Sequence, residues 1–247
     1  MNDQALLRYS RHLLLPDWSE AVQDRLGAAH VLVVGAGGLG SPASLYLAAA
    51  GVGQLTLCDH DQVDLSNLQR QIALASADVG RLKVAATAQR LHQINPEVRL
   101  HTVPRRLTEA EEGLLEGVDV VLDASDDFAT RFLLNRLCLQ RRLPLVSAAV
   151  IRYKAQLTVF DFRQQMTPCY ACLYAPDSVE EAERCALMGV FAPLAGVVGS
   201  WQAGEALKIL AGVGTPLVGR LLLIDGSDSS TRTLTLLRDP DCPVCGL

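Results

Sequence analysis

The chain alternates between short apolar runs and longer amphipathic stretches. Val31 to Val34 run into a glycine cluster and then an alanine-rich stretch, so VLVVGAGGLGSPASLYLAAAGVG (31–53) predicts a buried strand from His30, a tight turn and a helix over 38–50. QLTLCD (54–59) supplies a second strand and closes a β-α-β unit. Helical periodicity over 81–95 stops at Pro96; VRLHTV, VDVVLDAS and LPLVSAAV follow as strands, separated by helical stretches at 108–116 and 127–142. Strands alternating with helices predict an α/β fold, Rossmann-like and doubly wound, with a mostly parallel sheet. Residues 2–27 read as helical segments broken at Pro16. Beyond residue 150 the pattern changes. QLTVFDF (156–162), GRLLLID (219–225) and TRTLTLL (231–237) read as strands with short turns, and 190–211 as one long helix. The last third is therefore expected to extend the same sheet with antiparallel strands. No linker rich in Gly, Pro or Ser and no repeat interrupts the chain, which predicts one domain over 1–247: a helical arm (1–27), a core (28–150) and an antiparallel extension (151–247).

With 247 residues, 49% of them apolar, the chain can bury a large core, and its net charge of -5 argues against a nucleic-acid partner. The N-terminus lacks the basic start and apolar core of an export signal. The longest apolar stretch, 189–204, contains Pro193 and falls short of the roughly 20 residues of a membrane span, so a cytoplasmic protein without a membrane partner is expected. In that setting the seven cysteines point to metal binding or catalysis rather than disulfides.

Gly35, Gly37 and Gly40 fit G-x-G-x-x-G, whose backbone N–H groups and following helix N-terminus favour an anion. Asp59 stands where a ribose-binding acid is expected, but the motif does not separate NAD from ATP. The segment 58–71 and Lys83 discriminate better. A triphosphate needs charge neutralisation that hydride transfer does not, and Arg70 and Lys83 supply it, with Asn67 as a neutral donor. Taken singly, either cation also reads as a solvated surface residue.

Cys169 and Cys172 form C-Y-A-C; Cys242 and Cys245 form C-P-V-C. Two such pairs brought together make the tetrahedral S₄ site that Zn²⁺ prefers in a structural role, whereas a lone pair would also read as a redox motif. Cys58 and Cys138 sit in apolar patterns and read as core. Cys185 follows Arg184 just before the long helix, a setting that lowers a thiol pKa.

Together, RYSRHLLL (8–15), GAGGLGSP (35–42), D-x-D-x-V-x-x-S-N-L-Q-R-Q (59–71), Lys83 and the two cysteine pairs resemble the MoeB/ThiF family. These are adenylyltransferases of ubiquitin-like sulfur-carrier proteins, related to ubiquitin-activating enzymes. The resemblance spans essentially the whole chain. It implies that the cradle holds ATP: Gly35, Gly37, Gly38 and Gly40 pack against the nucleotide and Asp59 binds the ribose. The run Ser66, Asn67, Leu68, Gln69 and Arg70 lies along the nucleotide, with Asn67, Arg70 and Lys83 on the phosphates. Arg11 matches an arginine that reaches the neighbouring subunit's ATP across a homodimer, and Asp126 matches an aspartate that serves Mg²⁺. Cys185 matches a cysteine that, in thiamine-pathway relatives, can become linked to the carrier's sulfur; a covalent and a structural role both stand.

The chain departs from the family at Asp127, where Asn is usual, and at Lys154, where an acid is usual. The implied reaction adenylates the C-terminal Gly-Gly carboxylate of a MoaD- or ThiS-like carrier, with the molybdopterin branch favoured over the thiamine branch. Only two residues follow Cys245, so the persulfide sulfur donor is expected to be a separate protein. Two other classes remain open: an NAD-dependent oxidoreductase, and a non-catalytic partner of an adenylating dimer.

Overall fold

A computed structural model describes residues 1–175 and 188–246. Its centre is an eight-stranded sheet in the order β3-β2-β1-β4-β5-β6-β7-β8. The strands β1 (His30–Val34), β2 (Gln54–Cys58), β3 (Arg99–Val103), β4 (Val120–Asp123) and β5 (Pro144–Ile151) pair in parallel. From β5 onward the pairing is antiparallel, through β6 (Lys154–Asp161), β7 (Arg220–Asp225) and β8 (Ser230–Thr235). Both the parallel half and its antiparallel extension follow from the sequence pattern. The inner parallel strands β1 and β4 are covered on both faces and read as apolar runs, whereas the edge strands β3 (RLHTV) and β8 (STRTLT) carry polar residues at exposed positions.

Three short helices open the chain: α1 (Asp3–Arg8), α2 (Ser10–Leu13) and α3 (Glu20–Ala28), the last capped by Ser19, whose hydroxyl accepts from the Val22 N–H. The break at Pro16 falls between α2 and α3. Helices α4 (Gly40–Ala50), α5 (Lys83–Ile94) and α6 (Phe128–Arg141) are the crossovers. One turn, α7 (Tyr170–Leu173), carries the first cysteine pair, and α8 (Ala192–Ala211) packs against α4, where Gly199 lies so close to Leu39 that a Cβ would come within 2.4 Å of its carbonyl oxygen. The stretch expected as a helix at 108–116 is instead a 3₁₀ segment, Glu109–Leu115, with three glutamates and Gly113 in its seven residues. Among the described residues no helix is long and apolar enough to cross a membrane.

One core cluster lies between the sheet and α3, α4, α5 and α8; the other lies beneath α6 and α7. Because β1 pairs with both β2 and β4, the chain leaves its carboxyl end toward opposite faces, which opens a crevice there.

Candidate active site

A cavity of about 630 Å³ fills this crevice, within the size range of small-ligand sites. Its floor is the glycine turn after β1. Gly35 sits at φ +97°, and a Cβ there would lie 2.4 Å from the Ala124 carbonyl oxygen, so the site tolerates no side chain. Gly40 does not line the cavity; a Cβ on it would strike the Gly35 carbonyl at 1.8 Å, and its role is to let α4 start directly under the turn. Gly37 and Gly38 face the cavity, with the aliphatic stem of Arg70 lying over Gly38.

Asp59, at the end of β2, accepts from the Ala36 N–H at 2.7 Å and from the Asp61 N–H at 2.8 Å. It is thus locked between the glycine turn and the next loop, with lone pairs left for a ribose hydroxyl. The family-type run 66–71 turns through a 3₁₀ segment, Leu65–Asn67, and that geometry sorts its residues. Residues three and four apart share a face, so Asn67, Arg70 and Gln71 line the cavity. Ser66, Leu68 and Gln69 do not: Ser66 donates to Asp64, Leu68 packs against Val63, Leu74 and Ala86, and Gln69 is exposed. Gln71, absent from the sequence-based set, is buried and donates to Asn67 Oδ1 at 3.1 Å, which fixes the Asn67 amide.

Lys83 begins α5 and is only 5% exposed, with Nζ 2.7 Å from Asp61 Oδ2. Partial burial works against ionisation of Asp61, but the hydrogen bond and charge of Lys83 outweigh it and hold that carboxyl below its ordinary range.

Across the crevice Asp126 is exposed at the cavity mouth. Asp127 beside it is the N-cap of α6: Oδ1 accepts from the Thr130 N–H and Oδ2 from the Thr130 hydroxyl. Capping of this kind stabilises by about 1 kcal/mol and is open to Asn as well as Asp, which accounts for the departure at this position. Arg131 was also not singled out by sequence. It is buried, donates to the carbonyls of Ser125 (2.6 Å) and Ala148 (2.9 Å), and lies 3.5 Å from the buried Asp123. It therefore clamps the loop that carries Asp126 onto β5. The far wall comes from β5, β6 and β7. There Lys154 pairs with Asp225 directly across the β6–β7 ladder and holds that carboxyl down at about 2.

Behind this wall the four thiols of Cys169, Cys172, Cys242 and Cys245 lie within 4.8 Å of one another. Sγ–Sγ separations are 3.7 Å for 169–242, 3.4 Å for 172–245 and 4.0 Å for 169–172, and a tetrahedral Zn²⁺ with bonds of about 2.3 Å sets such separations near 3.8 Å. The N–H groups of Cys169 and Asp239 both point at Cys172 Sγ, as they would toward a thiolate. The donor set and its spacing fit the metal. Cys58 and Cys138 are core, as expected; burial, with Asp59 adding to it, pushes the Cys58 thiol up to about 12, and burial also raises Cys138.

The ThiF family profile matches residues 9–244. The chain belongs to the ThiF family. Among its relatives are the sulfur carrier protein ThiS adenylyltransferase of Escherichia coli K12, 45% identical over all of this chain and 97% of that one, and the molybdopterin-synthase adenylyltransferase of the same strain, 45% identical over all of this chain and 98% of that one. A sulfur carrier protein adenylyltransferase of Thermus thermophilus is 45% identical over 98% of this chain and 92% of its own. Among solved structures, E. coli MccB with ATP superposes with a TM-score of 0.83 at 25% identity, covering 97% of this chain and 75% of that one. ThiF-family membership displaces the oxidoreductase alternative.

Arg11, singled out from the sequence, lies apart from this ThiF-family cavity. Arg11 is exposed on α2; the adjacent Tyr9 packs against Gly51, at the C-terminal end of α4, and the eleven residues of that helix put about 16 Å between it and the glycine turn. Within one chain Arg11 does not join the other residues. Cys185 lies outside the described residues.

Proposed function

We propose that this chain adenylates the C-terminal glycine carboxylate of a small ubiquitin-like sulfur-carrier protein. The observation that carries the reading is the convergence, in one cavity, of the glycine turn, Asp59, Asn67, Arg70, Lys83 and Asp126. Asp59 anchors the ribose, the backbone N–H groups of the glycine turn donate to the phosphates, and Arg70 and Lys83 neutralise them, so that a weakly nucleophilic carboxylate can approach the α-phosphorus in line while pyrophosphate leaves. The wall of β5, β6 and β7 is where the carrier's tail would enter. Asp126, an exposed carboxylate at the mouth, is the kind of hard oxygen ligand that would hold Mg²⁺, and that ion would offset charge on the phosphate oxygens. Zn²⁺ would be held by the four cysteines as a closed structural site.

The ThiS adenylyltransferase and the molybdopterin-synthase adenylyltransferase are each 45% identical to this chain, so identity does not choose between the two branches. ATP–pyrophosphate exchange decides. Purified protein with MgATP is expected to exchange only when one Gly-Gly-ending carrier is supplied, which identifies that carrier; folded protein that exchanges with none would instead be the non-catalytic partner of a dimer.

The remoteness of Arg11 from its own cavity supports a homodimer in which it completes the partner's site. Arg11→Ala and Lys83→Ala proteins, each inactive alone, are expected to recover about a quarter of wild-type exchange when mixed, because random pairing gives half the dimers one intact site of two. No recovery after subunit exchange, shown to have occurred by mass spectrometry, would remove Arg11 from action in trans.

A further inference from the structure

Lys83 occupies a costly position. It is buried at the first residue of a twelve-residue helix, where the positive end of the helix dipole already disfavours a cation. Asp61 meets that cost. Its carboxylate takes Lys83 Nζ at 2.7 Å and its carbonyl accepts the Lys83 N–H at 2.9 Å, so the same residue holds both the ammonium and the first turn of α5. The Asp61 N–H in turn donates to Asp59 Oδ1, and Asp59 Oδ2 takes the Ala36 N–H of the glycine turn. One continuous chain of hydrogen bonds thus joins the phosphate cradle, the ribose acid and the phosphate cation. The second Asp61 oxygen lies 3.4 Å from the exposed His60, and half the side chain is open to solvent.

We infer that Asp61 is a positioning residue for the adenylation proposed above: it keeps Lys83 aimed into the cavity before ATP arrives, and links that aim to the seating of the ribose through Asp59. The inference rests on the proposed function. A carboxylate beside a polyanion site repels ATP unless a cation neutralises it, so Asp61 and Lys83 act as a unit, and this has a signature that mere structural support lacks. In MgATP calorimetry, Asp61→Asn in the wild-type background is expected to change affinity less than about twofold. In the Lys83→Ala background the same change is expected to tighten binding about fivefold, because it removes a carboxylate left unpaired and facing the phosphates. In exchange assays Asp61→Asn is expected to lower kcat about ten- to a hundredfold with KM for ATP nearly unchanged, and Asp61→Glu to recover part of the loss.

Equal effects of Asp61→Asn on affinity in the two backgrounds, or a wild-type kcat in Asp61→Asn, would overturn the assignment. Wild-type protein that binds MgATP but exchanges with no carrier overturns the proposed reaction, and calorimetry still decides the Asp61–Lys83 pair. Wild-type protein that does not bind MgATP overturns both.

Discussion

Arg70→Ala protein is expected to keep its fold and lose ATP–pyrophosphate exchange by about 10²–10³-fold, the cost of removing one preorganised group from a developing charge. Arg70 is half-buried with its stem over Gly38, and among the described residues its guanidinium makes one hydrogen bond, to the Ser66 carbonyl at 3.3 Å. Little of the fold leans on it. Its stem holds it over the place where the phosphates would rest, and most of its N–H donors are left for them. Loss of that charge is therefore expected in the rate, while the melting temperature moves by no more than about 2 °C. Near-normal exchange would take Arg70 out of the site, and a large fall in melting temperature would show that its stem matters more than its charge.

Cys172→Ser is expected to reverse that pattern. It breaks the four-thiol cluster that ties the chain's last residues to α7, and elemental analysis is expected to fall from one zinc per chain to none. Loss of a structural metal is one of the few single changes that reach on the order of 3 kcal/mol. In a chain of this length that lowers the melting temperature by roughly 6–12 °C. Tyr170 and Tyr174 on and beside α7 line the cavity, and the Tyr174 hydroxyl donates to Gln156 on β6 at 2.5 Å, so the loss is also expected to weaken exchange. Unchanged metal content would sink the S₄ assignment.

Much of the architecture is legible in the chain because the inner strands are uniform in burial. Val31, Leu32 and Val33 are at most 1% exposed, and such runs bounded by glycine or proline admit few other readings. What the chain leaves illegible is set by tertiary context. The turn α7 has no periodicity of its own and is held by the cluster its cysteines form. In the 66–71 run the residue types were plain, but which of them face the cavity depends on a 3₁₀ turn that composition does not announce. Arg131 did leave a trace, since it shares a helix face with Leu134 and Cys138, and a cation on such a face needs buried partners. Asp61 left one too, in its spacing of two from Asp59, a spacing that becomes meaningful only once Lys83 is seen folded back upon it.

The order of strands in the sheet has a consequence for how such a chain can change over evolutionary time. Every group assigned here to ATP precedes β5, whereas the wall expected to meet the carrier is built from β5 onward. The boundary between the parallel and antiparallel halves is therefore a natural crossover point for recombination. A new carrier can be recruited by altering the second half of the chain, with the chemistry of the first inherited intact.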